Sequence, residues 1–395
     1  MKKIGNFRNK SFTFIVLIFL LINTIFIIYS CTKEAEIFNT NYQYNPTPYD
    51  LNSPPYFPTN LNIPEDNPLT EEGVELGRYL FYDGRLRGYS GTNPDSLMSC
   101  GTCHLQEYGF KCGLNHPKFP EGQTYGITGL KTPHFIMPLI NLVYNNEGYL
   151  WNGSLSPRNP NPDMQSLESF VSVVIEDPYE MGGSIEKAVQ VISSIDFYPP
   201  MFEAAFGTPE VNIDRIEKAV AQFVRALVSF DSKFDRYLRG EEQLTDSELR
   251  GYILFTTEEG ADCFHCHGGA GTPLFTTNLF YNNAKDSVFT DPADRFGFTR
   301  VLADKGAYRA PSLRNIEFTA PYMHDGRFKN LDEVINFYSE ELVVSPYVHS
   351  LMHKIDDGGA MLTPKEKTDL KNFLLTLSDH NFINNPKFSK PEELP

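Results

Sequence analysis

The strongest constraint on the fold is a Cys-x-x-Cys-His pentad that occurs twice, at residues 100–104 (CGTCH) and 263–267 (CFHCH). Two thiols with this spacing can each add to one vinyl group of the same porphyrin, and the adjacent His can then bind the iron. A zinc or dithiol redox site is the alternative, but zinc usually takes four N or S ligands and each pentad supplies three. The pentads therefore predict two covalently bound haem c groups. Their protein ligands would be Cys100, Cys103, His104, Cys263, Cys266 and His267.

The first 30 residues have the composition of an export signal. Four basic residues precede an apolar stretch from Phe12 to Tyr29, which ends in the box Ile-Tyr-Ser-Cys. This box resembles a lipoprotein signal, with Cys31 as the lipidated first residue of the mature chain. A simple membrane anchor is the alternative, because about 18 apolar residues can just span a bilayer. The first interpretation predicts an exported lipoprotein of the cell envelope, facing the periplasm or the surface, which meets the membrane only through its lipid anchor.

Charge and cysteine usage limit the classes of partner. Without residues 1–30 the chain has 30 Lys and Arg against 50 Asp and Glu. This balance argues against nucleic acid and anionic membrane surfaces, and it suits the docking of a cationic electron carrier.

The pentads and the lipid account for five of the six Cys, which leaves Cys112 without a disulfide partner. We interpret it as a small buried side chain rather than as an iron ligand or a redox thiol.

An internal sequence repeat indicates two domains. Residues 69–81 and 244–255 each begin with Leu-Thr, continue as a helical pattern and lead into a pentad. Thr70 suits an N-cap, and Thr245 with Glu248 forms a capping box. Two copies of a helix–loop–haem unit predict two cytochrome-c-like domains.

Two further helices are predicted to close these domains. Apolar residues at helical spacing predict a helix over residues 213–228, and Thr363 with Pro364 marks the start of another that runs to Leu377. Sustained strand alternation is absent, and long loops are expected over residues 85–166 and 268–330. The expected fold is mainly α, with two cytochrome-c-like haem domains in tandem and long loops. The expected divisions are a lipoprotein signal peptide at 1–30, a Pro-, Asn- and Tyr-rich tether at 31–66, an N-terminal haem domain at 67–240, a C-terminal haem domain at 241–382 and a tail at 383–395.

Four further motifs lie at residues 150–153 (LWNG), 179–182 (YEMG), 310–315 (APSLRN) and 319–326 (TAPYMHDG). With the two pentads they resemble the bacterial di-haem cytochrome c peroxidase family, which includes the MauG enzymes. The resemblance covers roughly residues 65–380. It implies that the haem on His104 reacts with hydrogen peroxide and that the haem on His267 accepts electrons from an external donor. It also implies that Trp151 lies between the two haems; a core or haem-packing Trp is the alternative, and one residue can serve in both ways.

The same resemblance implies a distal acid. Glu180 matches the family's carboxylate that moves a proton from the inner to the outer peroxide oxygen, as base and then as acid. The alternative is a solvated loop acid. The family usually carries a Gln ten residues earlier, where this chain has Phe170. The peroxidases' switchable distal His has no counterpart at its usual spacing, and His116 and His134 are the candidates at altered positions. Loss of that ligand would leave the first haem five-coordinate, as in MauG enzymes.

The ligand of the second haem separates the two branches of the family. Fourteen residues after His324 the peroxidases carry a Met ligand, whereas MauG enzymes use a Tyr, and this chain has Tyr338. A Tyr ligand would stabilise ferric or higher oxidation states. The alternative is a buried Tyr in an apolar helical stripe.

A calcium ion is the last feature that the resemblance implies. Thr319 and Pro321 match carbonyl donors to a calcium between the family's two domains. The third protein donor in the family is an Asn, and residues 135–138 (FIMP) offer none at the matching position. A carbonyl-rich loop without a metal is the alternative.

Three functions follow from these features. The leading one is an exported di-haem c-type peroxidase, which reduces hydrogen peroxide to water with electrons from a small c-type cytochrome or cupredoxin. The second is a MauG-like enzyme that oxidises a protein or small molecule through high-valent haem. The third is a non-enzymatic electron-transfer cytochrome, which needs neither Glu180 nor an open iron face. A homodimer is compatible with each of them.

Overall fold

The protein is built mainly from α-helices joined by long irregular segments. The computed structural model describes residues 44–91, 93–269 and 272–395, and the predicted signal peptide and Cys31 lie outside these ranges. The α-helices of the described residues are α1 (Glu71–Tyr82), α2 (Cys100–Cys103), α3 (Leu167–Glu176), α4 (Ile185–Ser193), α5 (Tyr198–Phe206), α6 (Ile213–Ala226), α7 (Lys233–Leu238), α8 (Asp246–Thr256), α9 (Phe264–His267), α10 (Arg295–Thr299), α11 (Leu331–Glu340), α12 (Pro364–Leu375) and α13 (His380–Ile383).

The long segments between these helices hold single turns and little strand. Short 3₁₀ turns lie at Gly84–Arg87, Pro94–Ser96, Gln106–Tyr108, Pro120–Gly122, Leu142–Tyr144, Pro162–Met164, Leu302–Asp304, Ile316–Phe318 and Ile355–Asp357. The strands β1 (Phe280–Tyr281) and β2 (Tyr308–Arg309) pair antiparallel, with Phe280 opposite Arg309. The prediction of a mainly α fold with long loops is confirmed.

The helix before the first pentad packs closely on a later helix. In α1 a Cβ on Gly77 would lie 1.9 Å from the carbonyl oxygen of Ala219 in α6, so only Gly permits this approach. One turn further on, the rings of Phe81 and Phe223 meet with centroids 5.1 Å apart. Close backbone contact followed by aromatic packing fixes α1 against α6.

The helix before the second pentad repeats this arrangement. In α8 a Cβ on Gly251 would lie 2.0 Å from the carbonyl oxygen of Asp369 in α12. The rings of Phe255 and Phe373, one turn further along each helix, have centroids 5.3 Å apart. The Gly-x-x-x-Phe part of the internal sequence repeat is therefore a packing motif. Through it, the helix that leads to a pentad contacts the helix that closes the same region.

The predicted helix starts are confirmed. The Thr70 side chain accepts a hydrogen bond from the Gly73 amide at 3.0 Å. Thr245 and Glu248 form the capping box, and Thr363 caps α12 with Pro364 in its first turn. The predicted helix over 213–228 is α6, which ends two residues earlier, at Ala226.

Segments at both ends of the described body pack onto it. Residues 46–395 form one compact unit. In the Pro-rich segment, the Asn62 amide donates to the Val143 carbonyl at 2.7 Å, and Phe57 packs on Tyr144. At the other end the Tyr82 hydroxyl donates to the carbonyl of Phe388 at 2.8 Å. Within the described ranges no helix is long and apolar enough to cross a membrane.

Candidate functional site

The first pentad opens onto a large cavity in the N-terminal half. Helix α2 carries Cys100 and Cys103, and His104 is its C-cap residue. The cavity has a volume of about 450 Å³, and most of its wall is apolar. Side chains of α1, α3 and α6 contribute to that wall, with Phe81, Val174 and Val220 among them. An apolar cavity beside a pentad is what a covalently attached porphyrin requires.

His104 is prepared to bind a metal from one side of this cavity. Its Nδ1 lies 2.5 Å from the carbonyl oxygen of Phe110, and because a carbonyl only accepts, Nδ1 carries the proton and donates. Burial lowers the pKa of His104 to about 4, so the imidazole is neutral near pH 7. The unprotonated Nε2 is then free to bind iron, and the Phe110 carbonyl fixes the orientation of the ring.

Glu180 faces the same cavity from the loop between α3 and α4. That loop is closed by hydrogen bonds from the amides of Glu180 and Gly182 to the Asp177 carbonyl, each 2.9 Å long. Burial, with a contribution from Asp177, raises the pKa of Glu180 to about 7. Phe170 also lines the cavity, at the position where the family carries Gln. A carboxyl group with this pKa can both take and return a proton near pH 7.

The second pentad opens onto a second apolar cavity, of about 200 Å³. Cys263, Cys266 and His267 lie along α9 and its N-cap and line this cavity. The Nδ1 of His267 donates to the Pro311 carbonyl at 3.2 Å, and burial lowers the pKa of His267 to about 4. The APSLRN block thus supplies the carbonyl that orients the second pentad His. Its Arg314 forms a fully buried ion pair with Asp235 at 2.7 Å, which anchors the block.

Tyr338 projects from α11 into the second cavity. Its phenol oxygen accepts a hydrogen bond from Asn283 Nδ2 at 2.9 Å, and burial raises its pKa. Asn283 also lies 3.7 Å from the sulfur of Met323, and both Met323 and Met352 line the same cavity. Tyr338, Met323 and Met352 are therefore among the side chains of this cavity that could take an axial position.

Trp151 and Arg309 line both cavities, so they form a shared wall. The indole Nε1 of Trp151 donates to the Phe135 carbonyl at 2.7 Å, and the Trp151 carbonyl accepts from the Arg309 amide. Arg309 Nε is, within the described part of the chain, a buried side-chain nitrogen without a hydrogen-bond partner. Burial lowers the pKa of Arg309 to about 10. An unpaired N–H of a buried guanidinium at a cavity wall is suited to an anionic group of a ligand, such as a porphyrin propionate.

A series of polar side chains in contact with one another extends from this wall. The His324 ring stacks on Tyr308 with centroids 3.6 Å apart and lies 6.3 Å from Trp151. The Tyr308 hydroxyl and His134 Nε2 each lie 2.6 Å from Asp291 Oδ2. His134 lines the first cavity but is held by Asp291.

Both candidates for the switchable distal ligand use a ring nitrogen in a hydrogen bond to another part of the protein. His116 does not line the first cavity, and its Nε2 donates to the carbonyl oxygen of Thr102 at 2.9 Å. Its Nδ1 accepts from the amides of Lys118 and Phe119. Cys112 is fully buried in the first core cluster, as its interpretation as a packing residue requires.

The two carbonyls expected to bind calcium accept hydrogen bonds from a lysine. Lys111 Nζ donates to the Thr319 carbonyl at 2.8 Å and also to the carbonyl of Pro321. Residues 135–138 (FIMP), in the region where the family resemblance implies a third donor, carry no oxygen ligand in their side chains. The donor set therefore does not fit calcium, which prefers six to eight oxygen ligands.

The side chains at both cavities fit a covalently attached haem. Each cavity has two thiols, a neutral His with its Nδ1 proton on a carbonyl, and apolar walls. The unpaired guanidinium N–H of Arg309 adds a partner for propionates. These features define the class of c-type cytochromes with two haems.

Comparison with known proteins identifies the family within this class. The profile described as "Di-haem cytochrome c peroxidase" matches residues 71–243. The methylamine utilization protein MauG of Methylorubrum extorquens is 31% identical over 322 residues, which cover 81% of this chain and 82% of that protein. The cytochrome c551 peroxidase of Nitrosomonas europaea is 32% identical over 273 residues, or 68% of this chain and 73% of that protein. The chain belongs to the di-haem cytochrome c peroxidase family.

Solved structures agree with this assignment. A MauG-like protein associated with microbial copper homeostasis is 35% identical, with a TM-score of 0.73, and the match covers 87% of this chain and 99% of that one. The di-haem peroxidase BthA of Burkholderia thailandensis has the same fold, with a TM-score of 0.61 at 20% identity.

Some residues at the cavities escape sequence reasoning. Asn283, Met352 and Arg309 belong to none of the motifs, although Arg309 directly precedes the APSLRN block. That adjacency, and the basic character of the position, is the one signal by which Arg309 could be found. Asn283 meets Tyr338 across 55 positions of chain, and no local pattern indicates such a contact.

Proposed function

We propose that this protein is a di-haem c-type peroxidase, which reacts with hydrogen peroxide at the first cavity and takes electrons through the second. The observation that carries the proposal is Glu180, a half-buried carboxyl group that lines the first cavity and whose pKa is raised to about 7. A plain electron-transfer cytochrome has no use for such a group. Two haem c groups, attached through the pentads at residues 100–104 and 263–267, would supply the redox chemistry of O–O cleavage.

The role of the chain in this reaction is to orient the haem and to move protons. His104, aligned by the Phe110 carbonyl, would hold the iron from the side of the pentad. Glu180 as carboxylate accepts the proton of the bound peroxide and then, as carboxylic acid, delivers it to the departing oxygen. Phe170 and Val174 keep this part of the cavity apolar, which limits competing proton donors.

The shared wall supports electron transfer between the two halves. Trp151 lines both cavities, with its indole N–H fixed on the Phe135 carbonyl. We propose that electrons from a small c-type cytochrome or cupredoxin enter at the second cavity and pass by Trp151. The excess of acidic residues suits a cationic donor, and the sequence at 1–31 favours an exported lipoprotein.

A MauG-like oxidation of a protein or small molecule is the second candidate. The observation that favours it is Tyr338, which lines the second cavity where the peroxidase branch has Met. A Tyr ligand stabilises oxidised iron, and a haem with such a ligand is not readily reduced by a donor of high potential. Both candidates need the same chemistry at Glu180 and differ in what supplies the electrons.

Glu180→Gln tests the proposal in the holo-protein. The variant keeps the volume of the side chain but cannot take a proton, so its reaction with peroxide is expected to slow by about 10²–10⁴-fold with both haem spectra preserved. Glu186→Gln, at an exposed position in the first turn of α4, is the matched control and should react at the wild-type rate. Equal rates for the two variants would contradict the proposal. Steady turnover of peroxide with a reduced small cytochrome would favour the peroxidase over the second candidate.

A further inference from the structure

Lys111 occupies an unusual place for a lysine. It lies seven residues after His104, and only 3% of its surface is exposed. Its Nζ reaches the carbonyl oxygens of Thr319, at 2.8 Å, and Pro321. Its side chain thus joins the loop after the first pentad to the segment that runs into His324, more than 200 residues later in the chain.

The partners of this nitrogen are carbonyls rather than acids. In the described part of the chain Lys111 forms no ion pair with a carboxylate, although Lys is almost never fully buried without one. The ionisable groups that affect it are the Cys112 thiol and Lys329. Convergent carbonyl oxygens around a positive centre are the environment of a bound hard cation.

A calcium ion cannot share this position. Calcium lies about 2.3–2.6 Å from its oxygen ligands, so an ion bound to these two carbonyls would overlap the lysine nitrogen and repel its charge. The expected third donor is also missing, because residues 135–137 are Phe, Ile and Met. The geometry therefore admits the lysine or the metal, but not both.

We propose that the Lys111 side chain replaces the divalent cation at this junction, so that the protein joins its two haem regions without calcium. The inference rests on the family assignment for the position of the calcium, and on the observed contacts for its replacement. Burial lowers the pKa of Lys111 to about 7, and both the ammonium and the neutral amine have at least two N–H donors. The two carbonyl contacts can therefore persist on either side of that pH.

The position of Lys111 gives this link a function. Its neighbour Phe110 supplies the carbonyl that orients His104. On the other side, the segment with Thr319 and Pro321 leads to His324, which stacks on Tyr308 beside the shared wall. The link therefore connects the ligand side of the first cavity with the wall between the two cavities. Its loss should disturb the first haem before the second.

The wild-type holo-protein provides the first test. After purification it is expected to contain no stoichiometric calcium by inductively coupled plasma mass spectrometry. Incubation with EGTA should leave both haem spectra and the melting temperature unchanged. One calcium per chain, with spectra that change when EGTA removes it, would overturn the inference. These readouts do not involve turnover, so a failure of the proposed peroxidase activity would leave them interpretable.

Lys111→Met provides the second test. It removes the N–H donors, keeps most of the length of the side chain and leaves two buried carbonyls unpaired. A lower melting temperature and an altered spectrum of the haem on His104 are expected. Lys131→Met is the control, because Lys131 is exposed in the same half of the chain and carries the same charge. Identical spectra and melting temperatures for the two variants would overturn the inference.

Lys111→Gln serves where the Met variant fails to accumulate. Its amide oxygen would be a third oxygen beside the carbonyls of Thr319 and Pro321. The melting temperature of this variant is expected to rise on addition of calcium chloride, whereas that of the wild type should not respond. A wild-type melting temperature that rises with calcium would overturn the replacement.

Discussion

The two haem regions share a scaffold but differ in the polar groups that face their cavities. In both, a Gly on the helix before the pentad meets a backbone carbonyl of the closing helix, and a Phe follows one turn later. In both, the pentad His donates through Nδ1 to a backbone carbonyl. The shared parts are those that attach and orient a haem.

The differences lie in other side chains that line the two cavities. The first cavity offers a carboxyl group, Glu180, among apolar side chains. The second is lined by Tyr338, whose phenol oxygen accepts a hydrogen bond from Asn283. A carboxyl group can move protons and a phenol can bind iron, so one scaffold used twice can divide proton chemistry from electron entry.

The largest expected effect tests whether the two regions bind haem independently. Replacing Cys100 and Cys103 together by Ser should remove the covalent haem of the first cavity only, because the second pentad follows its own pair of packed helices. Replacing Cys263 and Cys266 should have the mirror-image effect. Mass spectrometry of the intact chain should show one haem fewer in each case. If either double variant loses both haems, the regions depend on each other for maturation and the comparison fails.

Tyr338→Phe is the next most informative change. If the phenol binds iron, its loss should change the optical and EPR spectra of the haem on His267 and leave the haem on His104 unaltered. Tyr347→Phe is a control, since Tyr347 packs on Phe289 and does not line the second cavity. Unchanged spectra in Tyr338→Phe would remove the phenol from the ligand set. Met323 and Met352, which line the same cavity, would then be the candidates.

The pH dependence of the peroxide reaction should belong to the first region alone. Glu180 must start as the carboxylate, and its pKa is raised to about 7 by burial, so the reactive form is lost as the pH falls below that value. The second-order rate constant is expected to be level above pH 7 and to fall toward tenfold per pH unit below it. Stopped-flow mixing over pH 5–8 measures this profile. Glu180→Gln should lack this descending limb, and a limb that survives in the variant must come from another group.

Local features of the fold could be predicted from sequence, and distant contacts could not. The pentads and the caps at Thr70, Thr245 and Thr363 depend on residues within a few positions of each other, so a sequence pattern shows them. Helix α3 was not predicted. It lines the first cavity with several apolar side chains and also packs on α6, which weakens the alternation of polar and apolar faces.

The residues of the candidate site can likewise be separated into those that sequence motifs predict and those that they do not. The pentads and the motif residues Trp151 and Glu180 stand out in the sequence, and the structure brings them to the cavities. The contact of Asn283 with Tyr338 and that of Lys111 with Thr319 join segments 55 and 208 positions apart. Side-chain packing in three dimensions determines such pairs, and helical or strand periodicity carries no information about them.

The smallest effect tests the shared scaffold itself. In Gly77→Ala the new Cβ would lie 1.9 Å from the Ala219 carbonyl oxygen, and in Gly251→Ala it would lie 2.0 Å from that of Asp369. Both helix pairs must separate to admit a methyl group, which costs about 1–3 kcal/mol, while the better helix propensity of Ala returns up to about 1 kcal/mol. We expect each variant to lose about 2 kcal/mol of stability, measured by guanidinium unfolding followed by circular dichroism.

Leu249→Ala, at an exposed position of α8, is the control and should change stability by about 0.5 kcal/mol or less. Because the two distances are nearly equal, the two Gly variants should lose similar amounts. A large loss of stability in one variant and none in the other would mean that the internal sequence repeat preserves a sequence pattern but not an equivalent helix contact.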